Sequence, residues 1–339
     1  MKRVWWHLSD YISHRRAGEA YRRCLPLAGF EAVDRPEDAE LAVLHDDPMN
    51  WLDILARYPT VRTMPKIGFA VWEGLALPDV YRAGFALVDE IWTASEFSAQ
   101  ALRQGHGRVK VLPHVVEPAG FSSEEQEWAR ARLGLRPEER YFFSIVDAVN
   151  PRKNLDALLR VFARLAHSSP DISLVLKQYR MNLSFGEGRQ VVSIGENVSE
   201  GRLAALHAGA LAYVSPHRGE AWGLGLSEAM SHGVPVLATG WSGNMEFMDQ
   251  RNSVPLRYAL EPVGERMSRM LPHFRPEMVW ARIDEEHLLR EMLRLVRRGQ
   301  DPDMCQRARA VAERFSSRRV SRILAGLVRE FEDSFSNPA

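Results

Sequence analysis

At 339 residues the chain is long enough for two domains, each with a core of its own. Its 45% hydrophobic and 26% charged residues are ordinary for a globular protein. Forty-four Lys+Arg balance 44 Asp+Glu, which argues against a net basic field of the kind that gathers nucleic acid.

The first half alternates short apolar runs with helical patterns. Residues 4–8 read as a strand and 18–27 as a helix; 41–45, 67–72 and 90–94 read as further strands. Ser95 is placed to cap a helix running to Leu102, with Glu96 in its first turn, and residues 109–112 close the series. Residues 122–139 are polar and charged and read as a joining region. The pattern then restarts, with strands expected at 141–146, 172–176, 191–194, 211–214 and 234–238. A turn from Asp147 to Lys153 leads into a helix striped by Leu155, Leu158, Leu159, Phe162 and Leu165. From Asp284 onward the chain is helical by pattern, broken near Pro302 and Ser316. The expectation is an α/β protein with parallel sheets: a domain over 1–120, a linker at 121–140 and a second domain over 141–315. A helix over 316–339 is a candidate to cross back to the first domain.

Neither G-x-G-x-x-G after the first strand nor G-x-x-x-x-G-K-[ST] is present, so dinucleotide dehydrogenases and P-loop NTPases are disfavoured. Cys24 and Cys305 lack metal-ligand spacing and read as free buried thiols. No convincing metal-ligand cluster is found, and Asp46-Asp47-Pro48 reads as a turn. No window approaches the length of a membrane span and no signal core opens the chain, so a cytoplasmic protein is expected. Arg318, Arg319, Arg322 and Arg329 make peripheral contact with the inner face of a membrane a secondary expectation. Asn182 and Asn197 each begin an N-x-S pattern, to which little weight attaches without a secretion signal.

The most informative stretch is His217-Arg218-Gly219-Glu220-Ala221-Trp222-Gly223-Leu224-Gly225-Leu226-Ser227-Glu228, after an apolar strand. Strand, glycine loop and helix in that order aim the helix-start N–H groups of Gly223, Leu224 and Gly225 at an open crevice, which suits a diphosphate. Glu220 lies in the loop and Glu228, eight residues on, about two turns into the helix; two acids at different depths suit two sets of sugar hydroxyls. Residues 240–244 form a second glycine-interrupted turn beside it, as at the ligand edge of an open α/β sheet. Arg152 and Lys153 stand at a helix start, where the dipole disfavours cations, and so read as diphosphate ligands. His45 and Glu73 end first-half strands and are candidates to meet the sugar or the acceptor. His114 reads as a hinge residue, and His217 as a support for the Glu220 loop.

These pieces together resemble the retaining glycosyltransferases of family four. They are Arg152-Lys153-Asn154, Ser215-Pro216-His217-Arg218-Gly219-Glu220, Glu228-Ala229-Met230, Gly233-Val234-Pro235-Val236 and Trp241-Ser242-Gly243-Asn244. The resemblance is strongest from about residue 141 to residue 258. It implies the GT-B fold, two facing Rossmann-like domains with an interdomain cleft. It also implies that Glu220 contacts the transferred sugar, Glu228 the ribose, Arg152 and Lys153 the diphosphate, and the backbone near Asn197-Val198 the base. The implied reaction is metal-independent, cofactor-free transfer of a hexose from a nucleotide sugar. GDP-mannose is slightly favoured over a UDP-hexose, and the acceptor is a saccharide or lipid-linked saccharide in polysaccharide or lipopolysaccharide assembly. Trp222 replaces a common Phe, and Gly18-Glu19 is a poor counterpart of the family's N-terminal glycine loop. A nucleotide-sugar epimerase on the same scaffold, and a non-catalytic nucleotide or saccharide binder, stand as alternatives.

Overall fold

In a computed structural model that describes residues 1–136, 138–179, 183–185 and 190–336, the chain divides into two compact units. Unit 1 comprises Met1–Val115, Pro262–Val279 and Arg314–Ala339; unit 2 comprises Val116–Glu261 and Trp280–Glu313. Asn182, which begins one of the N-x-S patterns, lies outside the described residues.

Unit 1 holds a parallel six-stranded sheet, built from β1 (Arg3–Trp6), β2 (Glu31–Val33), β3 (Leu41–His45), β4 (Lys66–Phe69), β5 (Glu90–Thr93) and β6 (Val109–Val111). Their order is β2-β1-β3-β4-β5-β6. Central strands are buried on both faces, which is why 41–45 reads as a continuous apolar run. The connecting helices are α1 (Ile12–Leu27), α2 (Trp51–Arg57), α3 (Arg82–Phe85) and α4 (Glu96–Leu102). Ser95 caps α4 by accepting from the Ser98 N–H. Helix α1 starts at Ile12, six residues before the expected Gly18; residues 13–16 are polar and no side chain caps the helix, so neither an apolar stripe nor a cap marks its start. Gly18 is therefore a mid-helix residue and belongs to no phosphate loop. A Cβ there would lie 2.7 Å from Leu8 Cδ2 and 3.0 Å from His45 Nδ1, so glycine lets the helix lie close over β3. The edge strand β2 and the short helices α2 and α3 escape a reading by periodicity because each spans too few residues to show one.

Unit 2 opens with α5 (Ser123–Leu133), in the stretch read as a linker. Its capping box, Ser122 with Glu125, and left-handed Gly134 at its end mark a true helix. Only Ala129 and Leu133 are buried, so its apolar face is too small to show in the sequence pattern. The second parallel six-stranded sheet contains β7 (Arg140–Val146), β8 (Ile172–Gln178), β9 (Val191–Ile194), β10 (Ala212–Ser215), β11 (Val236–Thr239) and β12 (Val254–Leu256). Its order is β12-β11-β10-β7-β8-β9. Helices α6 (Leu155–Ser168), α7 (Glu200–Ala208) and α8 (Leu224–Ser231) connect these strands. Leu155, Leu158, Phe162 and Leu165 of α6 are buried as their spacing predicts, with Leu159 at the margin of the same core.

A two-stranded ribbon, β13 (Tyr258–Pro262) with β14 (Val279–Ile283), flanks α9 (Glu265–Met270) and the loop after it. Within unit 1, that loop's His273 bonds Asp47 at 2.8 Å and Phe274 packs 4.8 Å from the Trp72 ring. Such contacts are non-local, so a contiguous second domain over 141–315 does not describe the chain. Helices α10 (Glu285–Arg298), α11 (Pro302–Arg314) and α12 (Ser317–Ser336) complete it, and α12 packs on α1 in unit 1. Among the described residues, no helix is long and apolar enough to cross a membrane.

Gly68 on β4 faces the Trp51 ring, where a Cβ would fall 2.1 Å from Cη2. Gly68→Ala is expected to destabilise the protein by about 1–3 kcal/mol through overpacking, read as a lower melting temperature. An unchanged melt would show that Trp51 can retreat.

Candidate active site

The strand order of unit 2 reverses between β7 and β10, which pair in parallel as neighbours while the chain leaves them in opposite directions. Ligands of open α/β sheets bind in the crevice beyond the strand ends at such a point. The turns that follow these two strands carry the candidate residues, and the structure brings them together. Arg218 N donates to Arg152 O at 2.8 Å, joining the two turns through the backbone. Asn154, with φ at 54°, donates from Nδ2 to Pro216 O at 2.9 Å and adds a second tie.

Glu220 lies between the two cations. Lys153 Nζ donates to its Oε1 at 2.5 Å, and Arg152 Nη1 stands 3.2 Å from its Oε2. Arg152 Nη1 also donates to Gly219 O at 2.6 Å. Glu220 is only 7% exposed. Burial by itself would raise its pKa, but the charges of Lys153 and Arg152, then His217 and the Lys153 hydrogen bond, lower it to about 2. The carboxylate is therefore ionised at neutral pH and cannot serve as a proton donor. One carboxylate between two cations leaves the trio with a net positive charge.

Behind this trio lies a polar network. Ser242 accepts from Glu220 N at 2.8 Å, and Gly243 N donates to Glu220 O at 2.7 Å. Ser242 adopts φ of 83°, and a Cβ on Gly243 would lie 1.9 Å from Ala221 O, so the second turn presses directly on the Glu220 loop. His217, fully buried, contacts Ser215 Oγ through Nδ1 at 3.0 Å and Asn244 Oδ1 through Nε2 at 3.1 Å. Its pKa falls to about 4, chiefly through burial, which together with Lys153 and Arg152 outweighs the pull of Glu220. A neutral imidazole thus braces the loop. Ser242 and Asn244 were legible only as part of a turn; their sharing of hydrogen bonds with Glu220 and His217 is a tertiary fact.

Gly223 is the N-cap of α8, has φ of 94° and offers no side-chain cap. The first-turn N–H groups of α8, at Leu224 and Gly225, have no acceptor within the helix. Gly225 also admits Tyr213, whose Oη a Cβ would meet at 2.6 Å. Glu228 is the fifth residue of α8, so it lies one turn in rather than the expected two. Trp222 is 2% exposed, packs 5.0 Å from Phe247 and donates from Nε1 to Ser227 Oγ at 3.2 Å. It anchors the loop from within. Val198 lies half-buried in the loop between β9 and α7.

His45 and Glu73 belong to unit 1. His45 ends β3, is 1% exposed, and accepts at Nδ1 from Trp6 Nε1 at 3.1 Å, which places its proton on Nε2. Burial first, then neighbouring His14, His114 and His7, push its pKa well below the ordinary value, so it is neutral. Glu73 is half-buried in the loop beyond β4. His114 is buried in unit 1, its Nδ1 2.9 Å from Tyr21 Oη. Asp46 and Asp47 form a turn: Asp46 accepts from Asp47 N and Asn50 Nδ2, and Asp47 from Met49 N. Of the two cysteines, Cys24 is buried and Cys305 is partly exposed. Among the described residues, no group of three or more His, Cys, Asp or Glu side chains is arranged to hold a metal ion.

Residues 126–253 match the family model described as glycosyl transferases group 1. Two curated relatives, each named D-inositol 3-phosphate glycosyltransferase, come from a Nocardioides species and from Mycolicibacterium gilvum. Each is 29% identical, over 158 and 171 residues; the matches cover 40% and 46% of this chain and 34% and 38% of those proteins. The chain thus spans little more than a third of the length of these relatives. Among solved structures, Anabaena HepE in complex with UDP and glucose aligns with a TM-score of 0.67 at 15% identity, over 97% of this chain and 99% of that one. Sucrose-phosphate synthase from Thermosynechococcus elongatus aligns at 0.65 and 14%, over 98% and 100%. The fold is therefore a two-unit α/β fold shared with these solved structures, and residues 126–253 are similar to the glycosyl transferases group 1 family.

Glu220 has a folded pKa of about 2, below its ordinary 4.5, so its share of stability is complete above pH 4.5 and is lost as pH falls toward 2. That share is about 3 kcal/mol. Glu220→Gln is expected to be less stable than the native chain at pH 7, with the gap closing between pH 4.5 and about 2 in chemical-denaturation curves. A gap independent of pH would show that the carboxylate is not held ionised by its two cations.

Proposed function

We propose that this chain, whose residues 126–253 match the group 1 glycosyltransferases, moves a hexose from a nucleoside-diphosphate sugar to a saccharide acceptor. The observation that carries this reading is the Arg152–Glu220–Lys153 assembly at the point where the sheet order of unit 2 reverses. Breaking the sugar–phosphate bond puts negative charge on the departing diphosphate oxygen and positive charge on the anomeric carbon. Arg152, Lys153 and the N–H groups at the start of α8 stabilise the first charge. Ionised Glu220 accepts from hydroxyls of the transferred sugar and favours the second. Two fixed cations supply the charge that a divalent ion would otherwise bring, so the proposed reaction needs no metal.

The remaining roles belong to the same reading. Glu228 accepts from the ribose hydroxyls, and the backbone at Val198 meets the base. The reaction proceeds with retention: the acceptor hydroxyl attacks the face the diphosphate leaves, its proton passing to the departing phosphate oxygen. His45 and Glu73, at and beyond the carboxyl ends of β3 and β4, serve the acceptor or the sugar. GDP-mannose and UDP-hexoses are the donors to compare first; HepE of Anabaena, of like fold, was solved with UDP and glucose. The acceptor is a saccharide or lipid-linked saccharide of a surface polysaccharide or lipopolysaccharide. Exposed Arg318, Arg319, Arg322 and Arg329 on α12 suit contact with anionic lipid.

Arg152→Ala or Lys153→Ala is expected to lower turnover roughly a hundredfold, the scale for losing one donor to a developing oxyanion. Glu220→Ala should cost turnover more than donor affinity, whereas Glu228→Ala should chiefly raise the donor KM. Initial rates with a labelled donor panel measure all four. Unchanged rates in the Arg152, Lys153 and Glu220 variants would overturn the site.

A further inference from the structure

His207 closes the last turn of α7 and is 1% exposed, yet neither of its ring nitrogens has a hydrogen-bond partner among the described residues. Its surroundings fix the ring tightly. Phe143 meets it edge-on at 4.9 Å, and Tyr213 and His232 stack on it at 5.5 and 6.2 Å. Packing alone would be served by a phenylalanine, without two unsatisfied polar atoms in the core. The exception is explained by what lies nearest: Nε2 stands 3.6 Å from Oε2 of Glu228, whose side chain is 22% exposed. The imidazole is enclosed by three rings and the carboxylate is partly exposed, so the carboxylate is the member of the pair with more room to move. Such contacts commonly tighten from apo length when a ligand orders the flexible partner.

We propose that His207 is a positioning residue for Glu228, its Nε2–H holding Oε2 so that Oε1 is presented to the ribose hydroxyls of a nucleoside diphosphate. This rests on the reading above, in which Glu228 binds ribose. Without His207 the carboxylate loses this contact at Oε2, and the site's preference for a ribose that carries hydroxyls falls.

Titration with GDP and UDP, each beside its 2′,3′-dideoxy counterpart, tests this on the full chain. In the native protein, removing the hydroxyls is expected to weaken binding about tenfold or more, the scale of one hydrogen bond to a charged group. In His207→Phe, which keeps the ring volume, that ratio should shrink to about threefold or less, an effect that general loosening would not produce because it weakens both probes alike. His207→Gln, which retains a donor, should keep more of the ratio than Phe; His207→Met carries the apolar comparison if the Phe variant lacks a native melt. A full native ratio in the apolar variant, or equal losses in the apolar and Gln variants, would overturn the role of His207. A native protein that binds neither nucleotide would instead overturn the nucleotide-sugar reading itself.

Discussion

A carboxylate buried between two cations is the constraint from which the rest of unit 2 follows. Taking Glu220, Arg152 and Lys153 out of water individually would be costly; together each offsets the desolvation of the others. The arrangement demands that two turns about 65 residues apart in the chain meet within hydrogen-bonding distance. A parallel sheet in which β7 and β10 are neighbours supplies that meeting. The parallel pairing in turn demands helical crossovers, and so buries the strands on both faces.

The same constraint accounts for the unusual backbone nearby. Asn154 and Ser242 are the described non-glycine residues with positive φ, and both lie in turns bonded to the Glu220 loop. Gly243 is squeezed against Ala221 O, where any side chain would force the two turns apart. Strain of this kind persists only where neighbouring hydrogen bonds over-determine the geometry, as Ser242, Asn244 and His217 do here. His217 can fill that place because burial and two adjacent cations keep it neutral. An imidazolium there would repel Arg152 and Lys153.

Much of the architecture was legible because parallel strands buried on both faces leave continuous apolar runs. Residues 41–45 and 141–146 were readable for that reason, and Ser95 announced α4 by its capping chemistry. Helix α5 was hidden because only Ala129 and Leu133 reach a core, so its surface looked like that of a linker. Gly18 misled in the opposite sense. A glycine within a helical pattern suggested a loop, whereas its role is to let α1 lie against His45 and Leu8. The segment Pro262–Val279 offers no cue to its place in unit 1, since side chains such as His273 and Phe274 find their partners some 200 residues away.

For the candidate site, the amino-acid sequence by itself determined the ingredients: two acids eight residues apart, a basic pair after a strand, and glycines where a helix must begin. Local chemistry suffices for these, because helix starts, caps and turns are written in neighbouring residues. Only the tertiary structure decided that both cations grip Glu220, that Glu228 lies one turn into α8, and that His207 waits unsatisfied beside it. Those facts depend on which strands become neighbours, and no residue can state that alone.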